Sequence, residues 1–343
     1  MSNDVENVII IGSGPAGYTA ALYTARANLK PLVIEGWMWG GLLQQTTDVE
    51  NYPGYPQGVM GPQMMQDLRD QAERFGARFI TENATRVEPA AVEGEAHTVW
   101  IDDDEYKAEA VILAMGAEHK KLGVGGEEEL GGRGVSYCAT CDAAFFKDRE
   151  TIIVGGGDSA MEEAIFLAKF SSKVTIVNRR DEFRASKIML ERARSMENIE
   201  WLTPYVVEAF LPGDDGALNR ARVRNVETGE TRELPMNGAF IAIGHEPQSE
   251  IVQGIVETDE NGYVITEARS TRTSMPGFFA AGDLVDHTYR QAVTAAGTGC
   301  MAALDAEWYL RDNPKVPTPP ALEGTGDLAE EQWVPVAQPT RST

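Results

Sequence analysis

Short, wholly apolar runs alternate with longer stretches of small residues in the first part of the chain. Val8-Ile9-Ile10-Ile11 is β-branched and too short for a helix, so it predicts a buried strand. Gly12-Ser13-Gly14-Pro15-Ala16-Gly17 interrupts it, the Ala-rich stretch 18–27 predicts a helix, and Pro31-Leu32-Val33-Ile34-Glu35 predicts a second strand ending in an acid. The succession returns at Thr151-Ile152-Ile153-Val154, Gly155-Gly156-Gly157-Asp158-Ser159-Ala160, the helical stretch 161–170 and Lys173–Val177. Strand, glycine turn, helix and strand, met twice, predict an α/β chain built from two similar units.

The glycine turns carry chemistry. Gly12 permits a tight turn, Gly14 lets backbone approach a pyrophosphate, and Gly17 lets helix and strand pack closely, while the helix N-terminus offers its free N–H groups to the phosphates. Glu35 is then expected to accept from ribose hydroxyls. The second copy keeps the pattern, with Ala160 as its third small residue, and predicts a second Rossmann-like dinucleotide site. At the offset of Glu35 it carries the neutral Asn178, followed by Arg179 and Arg180, with Arg184 one helical turn later. Replacing a carboxylate by cations favours a ribose 2′-phosphate, so this site is expected to prefer NADPH over NADH. The competing reading is a solvated face in which the arginines pair with Asp181 and Glu182.

Composition narrows the function. With 343 residues, 43% hydrophobic and 24% charged, the chain can bury two or three domain cores, which excludes a disordered or fibrous protein. Acids outnumber bases 53 to 30, and the net charge of -23 repels nucleic acids and anionic membranes. The bases are 21 Arg and only 9 Lys, a balance that predicts tolerance of concentrated salt. No basic leader precedes the first apolar run, and no stretch approaches about 18 consecutive apolar residues, so a cytoplasmic protein is expected. Six of residues 313–343 are Pro, and 321–343 is expected to be a flexible tail.

Three cysteines occur, and Cys138-Ala139-Thr140-Cys141-Asp142 lies just upstream of the second glycine turn. The spacing suits a small-loop disulfide that is made and broken repeatedly. A zinc site competes with it, but would have to complete its ligands from Cys300 and four scattered histidines, His97, His119, His245 and His287. Asp142 is placed to exchange a proton with a thiolate, or alternatively to cap a helix beginning at Ala143. Cys300, in a small apolar stretch, is expected to be a packing thiol, and Trp37 and Trp39 are expected to pack near the first loop.

Further along, Gly277-Phe278-Phe279-Ala280-Ala281-Gly282-Asp283 is followed by His287 and Tyr289-Arg290-Gln291-Ala292. Together with Gly40-Gly41, Thr46-Thr47, Val49-Glu50-Asn51-Tyr52-Pro53-Gly54, Ile112-Leu113-Ala114-Met115-Gly116-Ala117 and Ala242-Ile243-Gly244-His245, these motifs resemble the low-molecular-weight bacterial thioredoxin reductases over about residues 5 to 311. The resemblance implies a homodimer with a discontinuous FAD domain, 1–117 and 247–320, into which an NADPH domain, 118–246, is inserted. It implies that FAD is lined by Gly12, Ser13, Gly14, Pro15, Ala16, Gly17, Glu35, Gly41, Leu42, Asn51, Val87, Ala114, Gly116, Asp283, Arg290, Gln291 and Ala292. NADPH would be lined by Gly157, Asp158, Ser159, Ala160, Asn178, Arg179, Arg180, Arg184, Ile243 and Gly244. It further implies electron flow from NADPH through FAD to a Cys138–Cys141 disulfide and on to a thioredoxin-like protein. In that scheme Cys141 faces the flavin, Cys138 attacks the partner, Asp142 is the acid/base, and the domains rotate about linkers at 117–122 and 244–249.

Five positions depart from the family's pattern. Ala143 and Ala144 stand where Gly and Phe are usual, which removes an aromatic beside the cysteines and leaves the partner open. Asn178 replaces a His, Leu42 a Gln and Met115 a Thr, the last two in the expected flavin surroundings. Two other functions are carried forward: a flavoprotein that oxidises a small dithiol, against which the arginine group argues, and a non-enzymatic nucleotide sensor whose CxxC holds metal.

Overall fold

A computed structural model describes residues 5–46, 48–92 and 95–313; the expected tail lies outside them. Strand Val5–Ile11 pairs in parallel with Leu32–Ile34 on one side and with Asp104–Leu113 on the other, inside a seven-stranded sheet. Its apolar run is buried on both faces. Val8 and Ile10 pack with the helical layer through Ala16, Ala20, Ala21 and Ala25, whereas Ile9 and Ile11 join Val87, Val99, Ile101 and Phe278 on the opposite side. The last strand of this sheet comes from far along the chain: Phe278–Ala280 pairs in parallel with residues 111–113.

Helix Pro15–Arg26 starts three residues before the expected 18–27. Pro15 sits at its first turn, where a missing N–H costs nothing and the fixed φ is already helical, so the glycine fingerprint overlaps the helix. Its alanines let the 21-residue helix Ala292–Asp312 approach closely. At that crossing a Cβ on Gly299 would lie 2.2 Å from the Ala16 carbonyl oxygen, whereas one on Gly297 would meet nothing within 4 Å. Gly299→Ala is therefore expected to destabilise the protein by about 1–3 kcal/mol through overpacking. Gly297→Ala, on the exposed face of the same helix, is expected to stabilise it by about 0.5–1 kcal/mol. Thermal unfolding of the two variants checks the contrast, and equal shifts would contradict it.

The second sheet is wholly parallel, in the order 135–136, 238–241, 150–154, 173–177 and 199–202. Helix Asp158–Leu167 covers it where 161–170 is expected, closing three residues earlier as the chain tightens into i→i−3 turns, the Lys169 amide donating to Phe166 O and the Phe170 amide to Leu167 O. A three-stranded antiparallel meander, Tyr205–Pro212, Leu218–Asn225 and Thr231–Pro235, packs on its other side. The two Rossmann-like units are joined by a small antiparallel ladder of Ala117–His119 with His245–Pro247. Among the described residues no helix is long and apolar enough to cross a membrane.

Candidate active site

The first glycine turn is built by close approach. The Gly12 amide donates to Ile34 O at 2.9 Å, and its φ of 107° is in the left-handed region, where a Cβ would lie 2.2 Å from Ala114 O. A Cβ on Gly17 would stand 2.1 Å from Gly12 O, whereas one on Gly14 would meet nothing within 4 Å. Helix Pro15–Arg26 has no side-chain cap, so its first N–H groups open onto that space beside Gly14, a cradle that fits the phosphates of a dinucleotide. Gly41 borders it, because a Cβ there would touch Gly14 Cα at 3.2 Å. Ser13 works inward: its hydroxyl donates to Glu35 O at 2.6 Å and accepts from the Gly40 amide at 3.0 Å, tying the turn to the loop that ends in Gly41.

Glu35 differs from expectation. Its side chain is 1% exposed and its oxygens accept from Tyr18 Oη at 2.7 Å, Arg69 Nε at 2.8 Å and Thr81 Oγ1 at 2.9 Å. The carboxylate that the spacing assigned to a ribose is thus turned inward, because the amphipathic helix Gly61–Arg74 delivers a guanidinium to the strand end. Burial, followed by the bond to Glu35, raises the Tyr18 phenol. Trp37, expected to pack, is 67% exposed, and Cys300 is half-buried rather than enclosed.

The remaining expected flavin positions fall around the same turn and at the joint between the units. Val87 is a core residue of strand Arg86–Glu88, Ala114 is buried beneath Gly12, and Leu42 is exposed on the turn Gly41–Gln45. Gly116 accepts the Gln248 amide at 3.0 Å beside the connecting ladder. Asp283 occupies the turn Gly282–Leu284 after the last strand, and its buried Oδ1 has no hydrogen-bond partner among the described residues. Burial pushes this carboxyl up to about 7, Asp286 adds to the rise and Arg290 opposes it. An enclosed acceptor with no protein donor fits a hydroxyl-rich ligand such as the ribityl chain of a flavin.

Gln291 and Ala292 open the long C-terminal helix. Asn51 Nδ2 donates to Gln291 Oε1 at 3.4 Å, and Gln291 Nε2 lies 4.0 Å from Cys138 Sγ. Cys138 and Cys141 form a disulfide with Cα atoms 5.3 Å apart, so the redox pair of the second unit faces expected flavin residues of the first. The charge of Arg290 acts across the same joint: it opposes the rise of Glu163, which burial pushes up to about 7, and adds to the depression of His119 and His245, which burial holds at about 4 and about 3. The two imidazoles, 4.6 Å apart, sit on opposite strands of the connecting ladder.

Asp142 does not cap the next turn. It ends the short helix Ala139–Asp142 and accepts from Ser136 Oγ at 2.6 Å. Burial raises its carboxyl, and the Ser136 bond lowers it by a smaller amount. Sequence reasoning passed over Ser136, which has the look of an ordinary strand residue, and Glu163, whose carboxylate accepts the Ala139 amide at 3.2 Å from the facing helix. Glu163 was legible only as one acid of a Glu pair.

The second glycine turn repeats the first. A Cβ on Gly155 would lie 2.3 Å from Ala242 O, and one on Gly157 would meet nothing within 4 Å beside the uncapped start of helix Asp158–Leu167. Ser159 and Asp158 are exposed there, and Ala160 is buried. Asp158 accepts the Ser186 amide at 2.7 Å, and Gly156 O accepts the amides of Arg184 and Ala185 at 2.8 and 3.0 Å. These bonds clamp the arginine loop against the turn. Asn178 shapes that loop by donating to the carbonyls of Arg180 and Glu182. Arg179, Arg180 and Arg184 are exposed and make no ion pair among the described residues; Asp181, the competing partner, accepts from Thr203 instead. Ile243 and Gly244 lead into the ladder, where Gly244 O accepts the Lys120 amide.

The family model for pyridine nucleotide-disulphide oxidoreductases matches residues 6–299. A thioredoxin reductase of Mycolicibacterium smegmatis is 56% identical over 311 residues, 91% of this chain and 98% of its own length. A bifunctional thioredoxin reductase/thioredoxin of Mycobacterium leprae is 53% identical over 94% of this chain and 70% of its own length. The crystal structure of thioredoxin reductase from Streptococcus pyogenes, 41% identical, covers 91% of this chain and 100% of its own with a TM-score of 0.85. Two uncapped glycine turns, a disulfide between them and agreement along nearly the whole length lead to one assignment: the chain belongs to the pyridine nucleotide-disulphide oxidoreductases and, within them, to the thioredoxin reductases.

Proposed function

We propose that this protein uses NADPH and FAD to reduce the disulfide of a thioredoxin. The observation that carries the proposal is the position of the Cys138–Cys141 disulfide, which lies against Gln291 at the start of the long C-terminal helix, among the residues expected to line FAD. FAD belongs to the first turn and NADPH to the second, where three guanidinium groups that make no ion pair among the described residues suit a 2′-phosphate. When bound, the flavin relays two electrons between a nicotinamide and a disulfide. The residues 1–117 and 247–320 form the flavin domain and 118–246 the NADPH domain. Both glycine turns and the sheet memberships support that division, although 314–320 lie outside the described residues. The chain works as a homodimer in the cytoplasm, where dithiols stay reduced.

Once the disulfide is reduced, the Cys138 thiolate attacks one sulfur of the partner's disulfide, forming a mixed disulfide and expelling the partner's other thiolate. Cys141 then attacks Cys138 Sγ, which restores the Cys138–Cys141 bond and releases the second partner thiolate. Asp142 supplies the proton that a departing thiolate takes up. For Cys138 to meet a protein it must leave Gln291, and the ladder of Ala117–His119 with His245–Pro247 supports rotation of the inner unit about that joint.

NADPH oxidation under nitrogen with an oxidised bacterial thioredoxin tests the assignment. Saturable turnover that stops when the thioredoxin disulfide is exhausted is expected. Turnover only with a small dithiol and oxygen, with peroxide formed, would make the protein a dithiol oxidase instead.

A further inference from the structure

We infer that Ser136 is a positioning residue for proton transfer at the redox pair, its hydroxyl holding the Asp142 carboxylate and the Cys138 backbone in one arrangement. The inference rests on the reading of Cys138, Cys141 and Asp142 given above. Ser136 ends the strand Val135–Ser136, pairs there with Phe240 and is 7% exposed, so its backbone is held by the parallel sheet. Its Oγ accepts the Cys138 amide at 3.1 Å and donates to Asp142 Oδ2 at 2.6 Å.

A hydroxyl has one proton, and the Cys138 amide already points its own hydrogen at that oxygen. The Ser136 proton is therefore committed to Asp142. Oδ2 stays an acceptor in both protonation states of the carboxyl, and Oδ1 is left as the oxygen that takes and gives the catalytic proton. The carboxyl can cycle without turning. All three groups lie on adjacent elements of the same unit, so the arrangement travels with the disulfide whichever way that unit faces.

The groups packed around Asp142 do not supply this control. The disulfide precedes it in the helix, and Glu163 on the facing helix is engaged with the Ala139 amide. Burial raises Asp142 and Ser136 alone is set against it, so loss of the hydroxyl moves the carboxyl further up.

The test compares Ser136→Ala, Ser136→Thr, Asp142→Asn and the double variant Ser136→Ala/Asp142→Asn, each with its flavin bound, in thioredoxin-dependent turnover as a function of pH. Ser136→Ala is expected to lower kcat about tenfold at neutral pH, a fraction of what a general acid contributes. It is also expected to displace the limb governed by Asp142 to higher pH, with Ser136→Thr restoring both. In the Asp142→Asn background the same change is expected to cost nothing further. Should the Ala variant fail to fold, Ser136→Val set against Ser136→Thr makes the same comparison at constant shape. Normal turnover by the parent with an unshifted profile in Ser136→Ala, or strictly additive losses in the double variant, overturns the role of Ser136 alone. No thioredoxin turnover by the parent overturns the reading beneath it as well.

Discussion

Cys141→Ser is expected to halve the reducing equivalents that the protein accepts from NADPH and to lower thioredoxin reduction by at least about a thousandfold, since the step that regenerates the disulfide loses its nucleophile. The parent holds two acceptors in series, a flavin and the Cys138–Cys141 disulfide, each taking two electrons. An anaerobic titration followed by flavin absorbance therefore ends at four electrons per flavin for the parent and two for the variant. The Gln291 contact sets the disulfide against the residues expected to line the flavin. Serine keeps the size of cysteine, and Cys141 is exposed, so folding should be unaffected. An endpoint of two electrons in both proteins would disconnect the disulfide from NADPH.

The second large effect belongs to the arginine loop. Replacing Arg179, Arg180 and Arg184 together by Ala is expected to lower kcat/KM for NADPH by about a hundredfold while leaving that for NADH within about twofold, since only the phosphorylated ribose loses charge-assisted hydrogen bonds. Because the three side chains are exposed and make no ion pair among the described residues, little of their charge is spent elsewhere. Exposed charges are also screened, so the parent's preference for NADPH should narrow as salt rises, and the triple variant should show no such dependence. Steady-state kinetics with both nucleotides at low and high salt read the outcome. Equal losses with NADPH and NADH would mean that the loop is a structural element, held by Asn178 and Gly156, and not a phosphate site.

What the chain disclosed in advance follows from the range of each interaction. Both glycine turns were legible because strand, turn and helix succeed one another within about thirty residues and their steric demands fall on glycine. The disulfide was legible for the same reason, since Cys138 and Cys141 share one helical turn. The inward bonds of Glu35 were not legible because its partners arrive from other elements, Arg69 from an amphipathic helix and Thr81 from beyond a later strand. The offset from Gly12 locates the acid but not the direction in which its side chain turns. Ser136 was overlooked because a serine at a strand end carries no periodicity, and its meaning comes only from the helix that folds back over it. The helix starts shifted for a local reason: Pro15 and Asp158 lie inside the fingerprint, where turn and first helical turn share the same letters.

The strand Phe278–Ala280 has a bearing on how the chain is made. A ribosome releases residues 5–113 long before it reaches 278, so the upper end of Asp104–Leu113 leaves the exit tunnel with one side unpaired. The alanine face of helix Pro15–Arg26 likewise waits for helix Ala292–Asp312. The parallel sheet of residues 135–241 needs nothing outside itself and can form first. During that interval the newly made N-terminal third is an incomplete sheet with an open edge, a natural client for a holding chaperone, and termination of synthesis after 241 but before 280 leaves a well-formed inner unit tethered to an aggregation-prone outer one.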